Sequence, residues 1–139
     1  MDTVLIVDDE RAIRSLLSHW VEGSGYLVAE AASAEEALAR MDECGAVVAI
    51  CDVQMPIHDG FWFARELRRL FPETALIMTT GGSERGDLLQ QTGAIDFLMK
   101  PFNRAYLRAG LKRAIEWSHE QAKRKRAQCS LHCAPTHSA

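Results

Sequence analysis

Short apolar runs alternate with longer amphipathic segments along this chain, five times in succession. The apolar runs are rich in β-branched residues, as in the segment 4–7 (VLIV), and have the length of strands. The segments between them carry apolar residues at helical spacing, as Ile13, Leu16, Leu17 and Trp20 do. The pattern predicts an α/β protein with a doubly wound, five-stranded parallel sheet and helices on both faces.

Capping and turn residues set the limits of the predicted elements. Ser33 and Glu36 form a capping box at the start of one helix, and Gly45 ends it. Gly23 and Gly25 end the first helix in the same way. The predicted strands are residues 3–7, 26–30, 47–51, 75–80 and 95–99, and the predicted helices begin near residues 10, 33, 61, 84 and 103.

Composition narrows the class of protein. The chain has 139 residues, of which 47% are apolar and 25% charged, enough for one core and one domain. A formal net charge of -3 gives no general reason to expect nucleic acid as a partner. No apolar run approaches the ~20 residues of a membrane span, and the start Met1-Asp2-Thr3 lacks the pattern of a signal peptide. We therefore expect a cytoplasmic protein.

Polar residues follow or close four of the predicted strands. Asp8 and Asp9 follow the first, Asp52 the third, Thr80 closes the fourth and Lys100 follows the fifth. In open α/β sheets the ligand site lies beyond the carboxyl ends of the strands, so these side chains should converge. Clustered carboxylates favour a hard divalent cation such as Mg2+, which leaves one of them free to act as a nucleophile. An ammonium and a hydroxyl beside them suit a phosphoryl group.

These residues also have simpler structural interpretations. Asp8 or Asp9 alone would serve as the N-cap of the first helix, and Lys100 alone as a solvated side chain. Phe97 reads equally well as an ordinary core aromatic. The two adjacent aspartates opposite Asp52 favour the site over the cap, and the position of Lys100 before a proline at the same edge favours a phosphate ligand.

Four motifs, in this order and spacing, resemble the receiver domain of two-component response regulators. The resemblance covers about residues 3 to 120 and implies a flavodoxin-like sheet with strand order 2-1-3-4-5. The motifs are residues 4–10 (VLIVDDE), residues 52–56 (DVQMP) with Asp59-Gly60, Thr80-Gly81, and Gly93-Ala94 through Asp96-Phe97 to Lys100-Pro101-Phe102.

The resemblance implies a role for each acidic residue. Asp52 would be the phosphoacceptor, forming an aspartyl phosphate by covalent catalysis. Asp9, Asp52 and the backbone carbonyl of Gln54 would ligate Mg2+, and Asp8 would hold a metal-bound water. No other cofactor is implied.

It also implies a switch. Lys100 would pair with a phosphoryl oxygen and Thr80 would donate its hydroxyl to another. Thr80 is preferred over Thr79 because it shares a face with Met78 and precedes glycine, as the family pattern requires. Phe97 matches the aromatic switch position, whose ring would turn inward and change the surface of the fourth helix, fifth strand and fifth helix.

The expected function is therefore a phosphoaccepting signalling switch without an output enzyme. Its expected partners are a sensor histidine kinase or phosphotransfer protein, a downstream effector or output domain, and a second copy in a phosphorylation-dependent homodimer. The alternative is a receiver-like interaction module that is never phosphorylated. A nucleotide-binding enzyme is disfavoured, because the turn Asp8-Asp9-Glu10 has no glycine-rich phosphate loop.

Two regions depart from the family pattern. The stretch from Thr80 to Gly93 is a residue or two short, and Gly82 with Gly86 predicts a short or mobile fourth helix. We expect the receiver domain to occupy residues 1–122, followed over 123–139 by a basic helix end and a disordered tail. The basic run 123–126 (KRKR) reads as a solvated helix end, a weak nucleic-acid contact or a linker toward an output domain, with the first favoured.

The four cysteines fall into two groups. Cys44 and Cys51 lie within the folded pattern and are expected to be small buried apolar side chains. The others belong to a cluster that would suit zinc but that reads better as part of a disordered tail, because no helix or strand pattern surrounds it. The cluster consists of Cys129, His132, Cys133 and His137.

Overall fold

Five strands and five helices alternate along the described part of the chain. The computed structural model describes residues 1–82 and 86–133, the last three by their backbone only. The strands are β1 (Thr3–Val7), β2 (Leu27–Ala31), β3 (Val48–Asp52), β4 (Ala75–Thr80) and β5 (Asp96–Met99). The helices are α1 (Arg11–Gly23), α2 (Ala34–Cys44), α3 (Gly60–Leu70), α4 (Gly86–Gln90) and α5 (Arg104–Cys133).

All strand pairs are parallel, and the order in the sheet is β2-β1-β3-β4-β5. The predicted α/β fold and strand order are therefore confirmed. The register places Val7 beside Cys51 and Asp52 beside Thr79, so the carboxyl ends of the three central strands lie level. This shared edge is where the predicted site residues meet.

Alternate residues of the strands point into two separate apolar layers. One layer contains Ile6, Ile50 and Ile77 and is closed by apolar residues of α1 and α5, including Leu17 and Leu111. The other layer, on the opposite face, is closed by α2 and α3. Strands buried on both faces need apolar residues at every position, which explains their continuous apolar runs. The sheet is therefore packed on both faces, and it supports the loops at its carboxyl edge.

Most predicted boundaries hold to within one residue. The strand β2 begins at Leu27 rather than Tyr26, and β3 ends at Asp52, which was expected to follow it. The capping box of α2 is formed, with the Ser33 hydroxyl accepting from the Glu36 amide at 3.2 Å and the Glu36 carboxylate accepting from the Ala32 amide at 3.1 Å. Local side-chain chemistry therefore fixes where α2 begins.

Helix α4 is described over Gly86–Gln90 and ends two residues before Thr92, its predicted end, whereas its predicted start near Glu84 is not among the described residues. Residues 83–85 lie outside the described part of the chain. After the helix, the buried Thr92 hydroxyl donates to the Leu89 carbonyl at 2.6 Å, and Gly93 takes a left-handed φ of 74°. Both features turn the chain toward β5 and end the helix early.

Helix α5 continues to Cys133, beyond the basic run where a disordered tail was expected. The structure describes residues 127–133 as helix, and the division of the chain at residue 122 stays a prediction. The buried Ser118 hydroxyl donates to the Glu73 carbonyl at 2.7 Å, and the Lys125 ammonium lies 2.9 Å from a Glu73 carboxylate oxygen. These contacts hold α5 against the loop that precedes β4.

The predicted cysteine and histidine cluster mostly lies outside what the structure describes. Cys129 is exposed on α5, whereas the side chains of His132 and Cys133, and the whole of His137, are not among the described residues. Cys51 is fully buried, as expected for a small apolar side chain, whereas Cys44 is only half-buried. Among the described helices, none combines the length and apolarity that crossing a membrane requires.

Candidate metal and phosphoryl site

Three carboxylates converge at the carboxyl edge of the sheet. Asp8 and Asp9 follow β1 and Asp52 ends β3, and one oxygen of each lies within 4.8 Å of the others. Asp8 and Asp52 are buried, whereas Asp9 is exposed at the mouth of the site. The parallel pairing of β1 with β3 produces this convergence, as the sequence predicted.

The two carboxylate oxygens of Asp8 differ in their hydrogen bonding. Its Oδ1 atom accepts a hydrogen bond from the Glu10 amide at 2.8 Å, and the Arg14 guanidinium fixes its backbone carbonyl at 2.8 Å. The Oδ2 atom is buried and has no hydrogen-bond partner among the described residues. Burial raises the pKa of Asp8, and the Glu10 amide offsets only part of this effect.

Asp52 is paired with Lys100. The Lys100 ammonium lies 3.3 Å from the Oδ2 atom of Asp52 and 3.8 Å from that of Asp8, the second distance being an ion pair beyond hydrogen-bond range. The Gln54 amide donates weakly to Asp52 Oδ1 at 3.4 Å. Burial raises the pKa of Asp52, and the attraction of Lys100 counteracts this only in part.

The chemistry of this donor set fits a hard divalent cation. Among the described residues, the Lys100 ammonium is paired with two of the three clustered carboxylates, so these groups together carry more negative than positive charge. The buried, unsatisfied oxygen of Asp8 is a further acceptor without a donor. Oxygen atoms are the ligands that Mg2+ prefers. A bound Mg2+ would also neutralise the excess negative charge and would favour the ionised form of carboxylates whose pKa values are raised.

Thr80 and Phe97 lie beside this cluster on β4 and β5. The Thr80 hydroxyl is buried and accepts from the Gly82 amide at 3.0 Å, and the Thr80 carbonyl accepts from the Lys100 amide at 2.8 Å. Phe97 is half-buried and pairs in register with Met78, in the apolar layer on the Thr80 face. Gln54 lies in the loop after Asp52, and the role of its backbone carbonyl as a metal ligand stays a prediction.

Two residues that support the site were not singled out for this role from the sequence. Gly60 packs so closely on the loop that an added Cβ would lie 2.6 Å from the Asp52 carbonyl oxygen. Thr79 is in register with Asp52, is 1% exposed, and has no hydrogen-bond partner for its hydroxyl among the described residues. The alternation of residues along β4 predicts that Thr79 and Thr80 lie on opposite faces of the sheet. It does not predict that the Thr79 hydroxyl lacks a hydrogen-bond partner among the described residues.

An apolar groove adjoins the site. It has a volume of about 340 Å3 and runs between α1 and the segment after Lys100. Trp20 and Phe102 form part of its wall, with their rings edge to face at a centroid distance of 6.2 Å. Leu16, which is 43% exposed, presents apolar surface there.

A parallel sheet of order 2-1-3-4-5 with an acidic cluster at its carboxyl edge defines a class of α/β proteins that includes receiver domains. A profile of the response regulator receiver domain matches residues 4–112 of this chain. The chain therefore belongs to the response regulator receiver domain family of two-component signalling.

Relatives and solved structures agree with this membership. The chain is 36% identical over 126 residues to the transcriptional regulatory protein CpxR of Klebsiella pneumoniae, spanning 87% of this chain and 53% of that protein. It is 35% identical to the C4-dicarboxylate transport transcriptional regulatory protein DctD of Rhizobium meliloti, spanning 82% of this chain and 25% of that protein. The chain thus spans about half, or less, of the length of these curated relatives.

Two solved structures show the same fold. The chemotaxis protein CheY4 of Vibrio cholerae superposes with a TM-score of 0.77 at 36% identity, covering 82% of this chain and 98% of that one. The response regulator TrrA of Thermotoga maritima, solved in complex with Mg2+ and BeF, has a TM-score of 0.76 at 31% identity. This superposition covers 82% of this chain and 99% of the TrrA chain.

Proposed function

We propose that this chain accepts a phosphoryl group on Asp52 from a phosphohistidine of a sensor histidine kinase or phosphotransfer protein. The observation that carries the proposal is the buried Asp52 carboxylate, 3.3 Å from the Lys100 ammonium and clustered with two further carboxylates. Family membership supports it, and so does the relative solved with Mg2+ and BeF.

In this reaction a carboxylate oxygen of Asp52 attacks phosphorus, and the bond from phosphorus to the donor imidazole breaks. The imidazole nitrogen leaves with the electron pair and an aspartyl phosphate is formed. Bound Mg2+ would neutralise charge on the transferring oxygens, held by Asp9, Asp52 and the Gln54 carbonyl, with Asp8 holding its water. The raised pKa of Asp52 makes the carboxylate more basic, which suits a nucleophile that is ionised near neutral pH.

Lys100 and Thr80 act on the product. The Lys100 ammonium moves from the Asp52 carboxylate to a phosphoryl oxygen, where it offsets the added charge of roughly -1.5 to -2. The Thr80 hydroxyl already accepts from the Gly82 amide, and it donates its own proton to a second phosphoryl oxygen. Movement of Thr80 draws the loop at Gly81-Gly82 inward and opens space for the Phe97 ring.

The apolar groove beside Lys100 suits the donor protein. It lies at the rim of the acidic cluster, so an amphipathic helix seated on Leu16 and Phe102 would bring a histidine toward Asp52. The switched surface formed by α4, β5 and α5 would bind the downstream effector or output domain.

The test is phosphorylation by acetyl phosphate with Mg2+, followed by mass spectrometry. We expect the natural chain to gain the mass of one phosphoryl group, to lose it to hydroxylamine, and to gain nothing in Asp52→Asn. Asp59→Asn is the matched control, because Asp59 is an exposed carboxylate that caps α3 outside the cluster. Absence of the modification, together with no response to beryllofluoride, would instead support a receiver-like interaction module that is never phosphorylated.

A further inference from the structure

Thr79 carries a buried hydroxyl that the structure leaves unsatisfied at the centre of the site. It is 1% exposed, and its Oγ1 atom has no hydrogen-bond partner among the described residues. A hydroxyl removed from water without a partner destabilises a protein, so such a group calls for an explanation. The neighbouring Thr80 hydroxyl, in contrast, accepts from the Gly82 amide.

The alternation of the strands places Thr79 on the same face of the sheet as the charged residues. On β4, Ile77 belongs to the layer under α1 and α5, and Thr79 is two residues further along. Asp52 follows Ile50 in the same way on β3, and Lys100 follows Leu98 after β5. Residues two apart on a strand share a face, so Thr79 and Asp52 share one, and the Lys100 ammonium reaches Asp52 from just beyond β5.

The sheet order then puts Thr79 under the ion pair. Thr79 is the register partner of Asp52, and β4 lies between β3 and β5. Lys100 follows β5, so its side chain reaches Asp52, at 3.3 Å, from the far side of the strand that carries Thr79. The ammonium has three donors and is directed at the two carboxylates, Asp52 and Asp8.

We propose that Thr79 is a positioning residue for Lys100, its hydroxyl accepting a hydrogen bond from the ammonium when Asp52 carries a phosphoryl group. The role of Thr79 rests on the phosphoacceptor function proposed for Asp52. Once Asp52 is an acyl phosphate it is no longer a carboxylate, and the ammonium exchanges the carboxylate for a phosphoryl oxygen. As the ammonium moves to the phosphoryl oxygen, its third N–H turns to Thr79 Oγ1, which has no other partner among the described residues. The hydroxyl thus favours the phosphorylated state over the unphosphorylated one.

The experiment compares Thr79→Val, which keeps the shape and removes the hydroxyl, with Thr79→Ser, which keeps the hydroxyl. Ser18→Ala is the matched control, because Ser18 lies on α1 and carries another buried hydroxyl without a partner among the described residues. Thermal unfolding without metal, Mg2+ affinity alone, and beryllofluoride affinity at saturating Mg2+ are measured for each variant.

We expect Thr79→Val and Ser18→Ala both to raise the melting temperature. Only Thr79→Val should weaken beryllofluoride binding, by about tenfold, the effect of losing one hydrogen bond to a charged group. Its Mg2+ affinity should stay within about twofold of the natural value, since the acidic cluster is intact, and Thr79→Ser should bind beryllofluoride nearly as the natural chain does.

Equal beryllofluoride affinity in Thr79→Val and the natural chain would overturn the role of Thr79, and so would a parallel loss of Mg2+ affinity. The phosphoacceptor function would survive both results. Failure of the natural chain to bind beryllofluoride would contradict the proposed function itself, and the role of Thr79 with it.

Discussion

Single residues at the acidic edge lower the stability of the fold at neutral pH. Burial raises the pKa of Asp8 and Asp52 above the ordinary value of 3.8, so folding favours their protonated forms. The folded chain then holds protons more tightly than the unfolded chain does. Stability therefore falls as pH rises from about 4 through the folded pKa values, and the cost persists at neutral pH.

Asp52→Asn should accordingly raise the free energy of unfolding at pH 7 by about 1 kcal/mol, because it removes one buried charge from the cluster. The gain should shrink toward pH 4, because the raised pKa lets the carboxylate of the natural chain take up a proton as the pH falls. Urea unfolding at both pH values measures the difference. A variant that is less stable than the natural chain at pH 7 would show that the pairing with Lys100 outweighs the burial of Asp52.

Gly60 supports the site through its lack of a side chain. An added Cβ would lie 2.6 Å from the Asp52 carbonyl oxygen and 2.7 Å from both the Val53 Cα and the Met78 Cε atoms. Gly60→Ala should therefore destabilise the fold by about 1 to 3 kcal/mol, the usual cost of overpacking. It should also weaken beryllofluoride binding, because the loop after Asp52 must move. Gly86→Ala is the comparison, since nothing lies within 4 Å of its added Cβ, and unchanged stability in Gly60→Ala would refute the close packing.

Whole elements differ in how far local sequence determines them. The capping box places the start of α2, and continuous apolar runs identify β1, β3 and β4, because those interactions are local or follow from burial on both faces. Helix α5 was predicted less well. Its last residues are polar and exposed, so periodicity carried no signal there, yet the helix continues to Cys133.

We propose that residues 1–122 form the receiver domain and that the rest of α5 adds little to its stability. Residues 123–130 are exposed, and their ion pairs to the domain include the one between Lys125 and Glu73, whose side chains are 73% and 35% exposed. A chain ending at residue 122 should unfold within about 1 kcal/mol of the full chain, and it should bind beryllofluoride equally well. Urea unfolding of both chains tests this.

Ser118→Ala gives the contrasting case within the same helix. It leaves the Glu73 carbonyl without its buried donor and should cost about 1 kcal/mol. A shortened chain that lost more stability than Ser118→Ala would place the domain boundary beyond residue 122.

On the scale of the whole molecule, apolar side chains lie exposed on the face that the switch would change. Met99 is 62% and Tyr106 is 65% exposed, and both line a cavity of about 660 Å3 on the β5 and α5 surface. Arg113 pairs with Asp96 across the same surface. A second copy of the chain, joined through this face, is the phosphorylation-dependent homodimer that we expect.

Beryllofluoride with Mg2+ should therefore increase the dimer fraction in sedimentation velocity, and Tyr106→Glu should prevent this increase by placing a charge in the interface. Beryllofluoride affinity should be unchanged in that variant, because Tyr106 lies outside the acidic cluster. Leu27→Glu is the control, since Leu27 is 52% exposed on β2 at the opposite edge of the sheet. A natural chain that stays monomeric under all conditions would exclude this interface.

The sequence by itself determined the α/β class, most element boundaries and the residues that meet at the site. Burial patterns, helix caps and strand ends depend on residues that are close together in the sequence, so they can be read from it. Asp8, Asp9, Asp52 and Lys100 were predicted to converge, and they do. Tertiary structure alone decided which polar atoms are satisfied. The partnerless hydroxyl of Thr79 and the close contact at Gly60 depend on how neighbouring strands and loops pack, and no local pattern encodes the distance between residues far apart in the chain.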